Sequence, residues 1–566
     1  MKKLSTLLIL AAGGLTLSAS PLTPQQALAA ATAGNGPSNA AGASYELAYS
    51  TRGIYVFNRP TGGFIVTSAD TAGAPLLGYS NEGSFDADNI PSNMEWFLDS
   101  YTDQIAAAAA EGMEYSYEAD SYGRTPIEPL IQNHWNQSGP YNDLCPEVNG
   151  VVCPTGCVAT AMAQVMQYWQ YPAQGTGSIS YTWRNETLSY DFSGDTYDWD
   201  NMTYEYGEES TEAEKSAVAR LMLACGMATK MNYGPSASGS NYYNAAAGML
   251  KYFGYDRAMN CLDRDFFTAD AWAEMIYAEL EAGRPVLYSG ANSRSGHAFV
   301  CDGYQGENYF HINWGWGGKS DGYFLLDALD PSSQGIGGST SGYNSDQIAV
   351  LGIQPPVEGN ELAPIMRSYG ELNGSINSKG IAMTVKHTAC GDETTKGVFS
   401  GSIEKIKATI GVRLTPVDGG QEVYAPCTSG AMNINTNCGL NSYTVYLSDL
   451  PTEGTYIVTS AFEYNGTWYN SLQHNNVPTR LMVTIENGTY TFEKVERSAM
   501  DDVKKDIRIG EPGTTTSIET IAAEAQNVDV YTITGRRVRT AVNAANATDG
   551  LTPGLYIIGG KKVAVK

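Results

Sequence analysis

The chain has 566 residues and carries 34 lysines and arginines against 60 aspartates and glutamates, a formal net charge of −26. That length exceeds what one hydrophobic core serves, so about three or four domains are expected. An acidic chain without a basic tract has no face for a phosphate backbone, which excludes nucleic acid as a partner class.

Residues 1–20 read as a secretory signal peptide: Met1-Lys2-Lys3, an apolar run from Leu4 to Leu17, then small residues to Ser20. The run is too short to cross a bilayer and no later segment is long and apolar enough, so no membrane span is expected. The product is expected to be secreted, either extracellular or attached at the cell surface. A short helix can start at Thr23, and a low-complexity stretch then leads to Ser44. Tyr45–Tyr49, Gly53–Asn58, Gly63–Asp70 and Leu76–Ser80 have strand character, and a helix is predicted from about Asn93 to Ala110. Residues 21–124 therefore read as one α+β unit, ending in a linker from Gly112 to Arg124 of the kind that proteases nick.

A second unit spans 125–356. Trp135-Asn136-Gln137-Ser138-Gly139-Pro140 precedes Thr155-Gly156-Cys157-Val158-Ala159-Thr160, where an apolar stripe of helical period begins: Val158, Ala161, Met162, Val165, Met166 and Trp169. The first turn of that helix thus carries a thiol. A helix N-terminus has unpaired N–H groups and partial positive charge, which favour a thiolate and supply donors for a developing oxyanion. A further helix, about Glu212 to Met231, leads into a Gly/Ser loop from Tyr233 to Ser240.

Of the five histidines (134, 297, 311, 387 and 474), His297 is the natural base, because Gly296 before it admits a substrate backbone and the apolar run Ala298-Phe299-Val300 holds it on a strand. A second strand follows, His311-Ile312-Asn313-Trp314, ending in Gly315-Trp316-Gly317-Gly318. Cysteine at a helix start, histidine on a distant strand and Asn-Trp on the next is the order of a papain-like thiol hydrolase. Asn313 and Trp314 are adjacent on a strand, so they face opposite sides and one alone can address His297 directly. Trp314 is expected to shield the pair from water and Asn313 to be the alternative, orienting residue. His311 is expected to be a packed core histidine.

Gly156-Cys157-Val158-Ala159-Thr160, Gly296-His297-Ala298-Phe299-Val300 with Asp302-Gly303, and Asn313-Trp314-Gly315-Trp316-Gly317-Gly318 with Ser320-Asp321-Gly322-Tyr323-Phe324 together resemble the streptopain family of bacterial cysteine peptidases. The resemblance runs from about Tyr45 to Pro355. It implies an inhibitory propeptide before a papain-like peptidase domain, an oxyanion-hole glutamine at Gln137, and substrate contacts at Ser240 and Gly296. It also implies a Cys157–His297 pair acting on protein or peptide substrates without metal or cofactor, and the propeptide as intramolecular inhibitor.

Residues 360–500 carry short alternating strands such as Ala408–Val412, Tyr443–Leu447, Tyr456–Ser460 and Leu481–Ile485, which point to an immunoglobulin-like β-sandwich. The tail, 515–566, resembles the C-terminal sorting modules of exported Bacteroidetes proteins, which implies recognition by a secretion machinery. The fold class expected overall is α+β: propeptide, papain-like domain, then all-β modules. Nine cysteines are an odd number, which suits an unpaired, reactive Cys157; Cys145 with Cys153, and Cys427 with Cys438, are pairs that can close short loops, and Cys225, Cys261, Cys301 and Cys390 read equally well as buried free thiols. Two rival functions keep the same residues: a surface binding protein with a degenerate hydrolase domain, and a thiol amidase or acyltransferase.

Overall fold

The computed structural model describes residues 19–33, 44–115, 124–326 except 268 and 292–295, and 347–495 except 363, 391–393, 435–438 and 475–478, with the backbone of four more strands between 528 and 565. Most of the expected signal peptide, part of the 112–124 segment and Cys438 lie outside the described residues. The helices are α1 (Pro24–Ala33), α2 (Ser92–Ala110), α3 (Cys157–Trp169), α4 (Glu212–Ala228), α5 (Tyr242–Tyr252) and α6 (Ala269–Glu281). The strands of the first 355 residues are β1 (Glu46–Ser50), β2 (Ile54–Asn58), β3 (Phe64–Ser68), β4 (Leu76–Ser80), β5 (Glu147–Val148), β6 (Val151–Val152), β7 (Ser178–Trp183), β8 (Glu186–Asp191), β9 (Asn260–Asp263), β10 (Val286–Ala291), β11 (Gly296–Tyr304), β12 (Tyr309–Asn313), β13 (Gly322–Leu325) and β14 (Ile348–Leu351).

Local chemistry sets several of these boundaries. The Thr211 hydroxyl accepts from the Glu214 N–H while the Glu214 carboxylate accepts from the Thr211 N–H, a capping box that starts α4. Asn241 caps α5 by accepting from the N–H of Asn244. Gln170, at φ 45°, ends α3 in the left-handed conformation.

Ten strands form one sheet in the order β1-β2-β3-β4-β13-β12-β11-β10-β14-β9. The four strands of residues 21–124 are thus continuous with those of residues 125–356, joined where β4 pairs antiparallel with β13, Tyr79 opposite Tyr323 and Gly78 opposite Phe324. Two cores flank the sheet. On one side α3, α4 and α5 pack through Met162, Val165, Leu221, Met222 and Met249 against Ala298 and Val300. On the other, α2 and α6 pack through Trp96, Phe97, Trp272 and Ile276 against Tyr288, Phe299, Trp314 and Phe324. Strand alternation explains the split: consecutive residues of β11 serve opposite cores.

The C-terminal region is all-β. A three-stranded sheet (Glu371–Ile376, Ala382–Thr388, Ser442–Tyr446) and a seven-stranded sheet built on Ile406–Pro416 and Gly454–Tyr464 share one core that includes Leu372, Val385, Val445, Ile410, Val412 and Val458. It is clasped to the preceding unit at the β9 end of the large sheet. The buried Arg367 guanidinium binds the Asp263 carboxylate and the Tyr243 hydroxyl, and His474 Nε2 lies 3.7 Å from Asp265. Four tail strands pair among themselves in the order Arg537–Val542, Val528–Thr532, Gly554–Ile558, Lys561–Val565. Cys145 and Cys153 are free thiols.

Candidate active site

Helix α3 opens at Gly156, whose φ of 87° and ψ of 141° a side chain rarely tolerates. Space excludes one as well: a Cβ there would lie 2.8 Å from the Ser238 carbonyl oxygen and 2.8 Å from Met231 Cε. The glycine lets the 233–240 loop press directly against the start of α3. Thr160 locks that start by donating its N–H and hydroxyl to the Gly156 carbonyl at 3.0 and 3.1 Å. Gly156→Ala is therefore expected to destabilise the fold by about 2 kcal/mol or more and to lower activity in parallel. A melting curve and a casein assay on the purified variant check this; an unchanged midpoint contradicts it.

Cys157 stands at the first position of α3, partly buried. Burial pushes its thiol above the usual cysteine value, while the N–H groups of Ala298, Val158 and Cys157 itself pull the other way. The backbone of β11 thus reaches the sulfur, but the imidazole of His297 faces elsewhere. His297 alternates with Phe299 and Cys301 onto the α2 side of the sheet, and its Nδ1 lies 3.5 Å from the hydroxyl of Ser92, the first residue of α2. Burial holds its pKa below the ordinary histidine value. Thiol and imidazole are each favoured in the uncharged form.

The first turns of α2 occupy the rest of this corner. Asn93, fully buried, donates to the carbonyls of Trp314 and, at 3.4 Å, Ala298. Trp96 covers Gly290, the residue paired with His297 across β10 and β11; a Cβ at Gly290 would stand 1.8 Å from the indole. Sequence reading missed Ser92, Asn93 and Trp96. Their contacts join residues about 200 positions apart (|i−j| is 205 for Ser92 with His297), and no local pattern announces such a pair.

Trp314 is fully buried on the same face as His297, between Phe97, Phe299 and Phe324 at centroid distances of 5.5, 5.0 and 5.3 Å, its indole N–H donated to the Ser320 carbonyl. Asn313 faces the other way. Its amide oxygen accepts from Gln164 of α3 at 2.9 Å and from the Gly315 N–H at 3.0 Å, and its amide nitrogen donates to the Asn133 carbonyl at 3.0 Å. Asn313 braces α3 against β12. His311 meets Asp302 at 2.6 Å; burial works to lower its pKa, but the carboxylate outweighs it and the net shift is upward.

Gln137 is tied to the start of α3 by its backbone, since its carbonyl accepts from the Thr155 N–H at 3.0 Å, two residues before Cys157. Its half-buried side-chain amide has no hydrogen bond among the described residues, which leaves both N–H donors available to a substrate oxygen. Ser240 is differently employed: its hydroxyl donates to the Thr229 carbonyl and receives the Asn244 amide at 3.4 Å, pinning the loop to the end of α4. Within that loop it is the Ser238 carbonyl that approaches Gly156. Gly296 opens β11 opposite Ala291. His134, not singled out from sequence, lies 3.6 Å from Asp321, which raises its pKa; Asp321 also accepts the Trp314 N–H at 2.9 Å. This pair links the segment leading to Gln137 with the Trp314 loop.

A family model described as the peptidase C10 family matches residues 135–324, and one described as a Spi protease inhibitor matches residues 19–105. Streptopain of Streptococcus pyogenes is 36% identical over 324 residues, covering 53% of this chain and 81% of streptopain. The chain belongs to the peptidase C10 family. It is a cysteine peptidase of papain-like fold that carries a propeptide inhibitor domain. The thiol protease/hemagglutinin PrtT of Porphyromonas gingivalis is 32% identical over 355 residues, which is 59% of this chain and 41% of PrtT. The solved structure of a prointerpain A fragment from Prevotella intermedia, a Cys→Ala variant, is 34% identical, with a TM-score of 0.50, covering 55% of this chain and 99% of the fragment.

Proposed function

We propose that this chain is an exported cysteine endopeptidase made as a zymogen, in which residues 21–124 inhibit the 125–356 domain until cleaved. The observation that carries the reading is the seat of α2: Ser92 and Asn93 occupy the two strands that bear His297 and Trp314, while Cys157 waits on the other side of β11. Loss of α2 frees the imidazole to turn toward Sγ. A leader at 1–20 and a tail module addressed to a secretion machinery complete the proposal; the 360–500 sandwich contributes no reacting group.

In the freed site, His297 takes the Cys157 proton and Sγ attacks the scissile carbonyl carbon. The Gln137 side-chain amide and the Cys157 N–H hold the oxyanion, a contribution of about 3 to 4 kcal/mol from such donors. Imidazolium His297 protonates the leaving amine as the C–N bond breaks, which leaves a thioester. Neutral His297 then takes a proton from water, whose oxygen attacks the thioester carbonyl, and the thiol departs reprotonated. Trp314 keeps bulk water from the His297 side of the strand.

The test is incubation of the purified, leader-free chain under reducing conditions, followed by intact mass and casein cleavage. Shedding of the first hundred or so residues together with casein hydrolysis is expected. An unchanged mass and intact casein, even after an added protease cuts the 112–124 linker, contradict the reading and favour the amidase or binding-protein alternatives.

A further inference from the structure

Among the described residues, the outer edge of β13 is paired by β4 alone, so removing residues 1–124 leaves β13 as the terminal strand of the order β13-β12-β11-β10-β14-β9. An open edge of unpaired N–H and C=O groups is a template for another strand. This edge is selective about which. Opposite Phe324 stands Gly78, where a Cβ would lie 2.3 Å from the phenyl ring, so the partner must present glycine there. Opposite Tyr323 stands Tyr79, the two rings stacked at 5.4 Å, and Tyr79 also meets Tyr309 at 5.7 Å. The seat therefore reads a Gly-Tyr dipeptide in an antiparallel strand.

β13 itself contains that dipeptide, Gly322-Tyr323, immediately before Phe324. Two copies of β13, antiparallel about a two-fold axis through Tyr323, place Gly322 of each copy opposite the other's Phe324 and tyrosine opposite tyrosine. Both rules of the β4 seat are met twice, as an isologous interface requires. The β-sandwich does not obstruct this, because its Arg367 clasp lies on Asp263 of β9, at the far end of the sheet.

We propose that the processed peptidase forms a two-fold symmetric dimer through its β13 edges, and that Gly78-Tyr79 of the propeptide fills the same seat and keeps the zymogen monomeric. The proposal rests on the zymogen reading only in that the propeptide must leave. A four-residue edge between two acidic molecules gives a weak dimer, with dissociation in the range of about 1 to 100 μM.

Light scattering and sedimentation of the full chain before and after processing, from about 1 to 200 μM, test it, with intact mass recording the processing separately. The mass should double with concentration after processing and stay monomeric before it. A peptide of residues 76–80 (Leu-Leu-Gly-Tyr-Ser) should return the processed form to monomer. Tyr323→Lys, which sets two ammonium groups face to face on the axis, should do the same while leaving hydrolysis of a small peptide substrate unchanged. A processed form that stays monomeric throughout, or a dimer indifferent to both peptide and substitution, overturns the proposal. Should the chain fail to process itself, the same measurements are made after an added protease cuts the linker and the propeptide is separated by size, so the two failures are read independently.

Discussion

Cys157→Ala is expected to remain at its full mass under reducing conditions and to leave casein uncut, with any residual turnover lower by about 10⁶. The size of the effect follows from covalent chemistry. Alanine offers no atom to form the thioester, and what remains is the oxyanion pocket acting on bound water. His297→Ala, processed in trans by the wild type, should lose activity on the same scale, because a thiol raised by burial and deprived of its base supplies little thiolate. Steady-state kinetics on a chromogenic peptide separate the cases: kcat collapses while KM moves little. A His297→Ala enzyme keeping more than about a hundredth of wild-type kcat would show that another group acts as base.

Gln137→Ala should cost about 10² to 10³ in kcat with KM nearly constant, since an oxyanion donor acts on charge that exists only in the transition state. The substitution is structurally mild. The link from Gln137 to Thr155 runs through its carbonyl, and the side chain has no hydrogen bond among the described residues to lose. The variant should melt with the wild type. A loss of activity accompanied by an equal loss of stability would instead make Gln137 a residue of the fold, and an unchanged kcat would remove it from the oxyanion pocket.

The residues that carry local signals were legible in the sequence. The apolar stripe of α3 and the glycine before Cys157 are readable within a dozen residues, and the structure places the thiol at the helix start as that stripe requires. The opposite facing of Asn313 and Trp314 followed from strand alternation alone. The partners of Asn313 did not: Gln164 lies 149 residues away and Asn133 180 residues away, so its role as a brace became visible only once α3 and β12 were packed. For the same reason the pairing of β4 with β13, which makes one sheet of the strands of residues 21–124 and 125–356, is not legible in the sequence. Edge pairing uses backbone groups that every residue has, and a strand's pattern does not name its neighbour. The Ser240 hydroxyl donates to the Thr229 carbonyl and the loop meets Gly156 through the Ser238 carbonyl, contacts between segments that no local pattern joins.

In the proposed zymogen the propeptide holds Cys157 and His297 apart in their uncharged forms, and its removal lets them pair. The rate of Cys157 alkylation against pH, read by peptide mass before and after processing, tests this most directly. Alkylation requires thiolate. In the zymogen, where burial raises the thiol pKa, the rate should be negligible near neutrality and climb only in the alkaline range. In the processed enzyme an imidazolium beside the sulfur stabilises thiolate, so the rate should be high and nearly flat down into the acidic range. Superimposable profiles for the two forms would contradict the account.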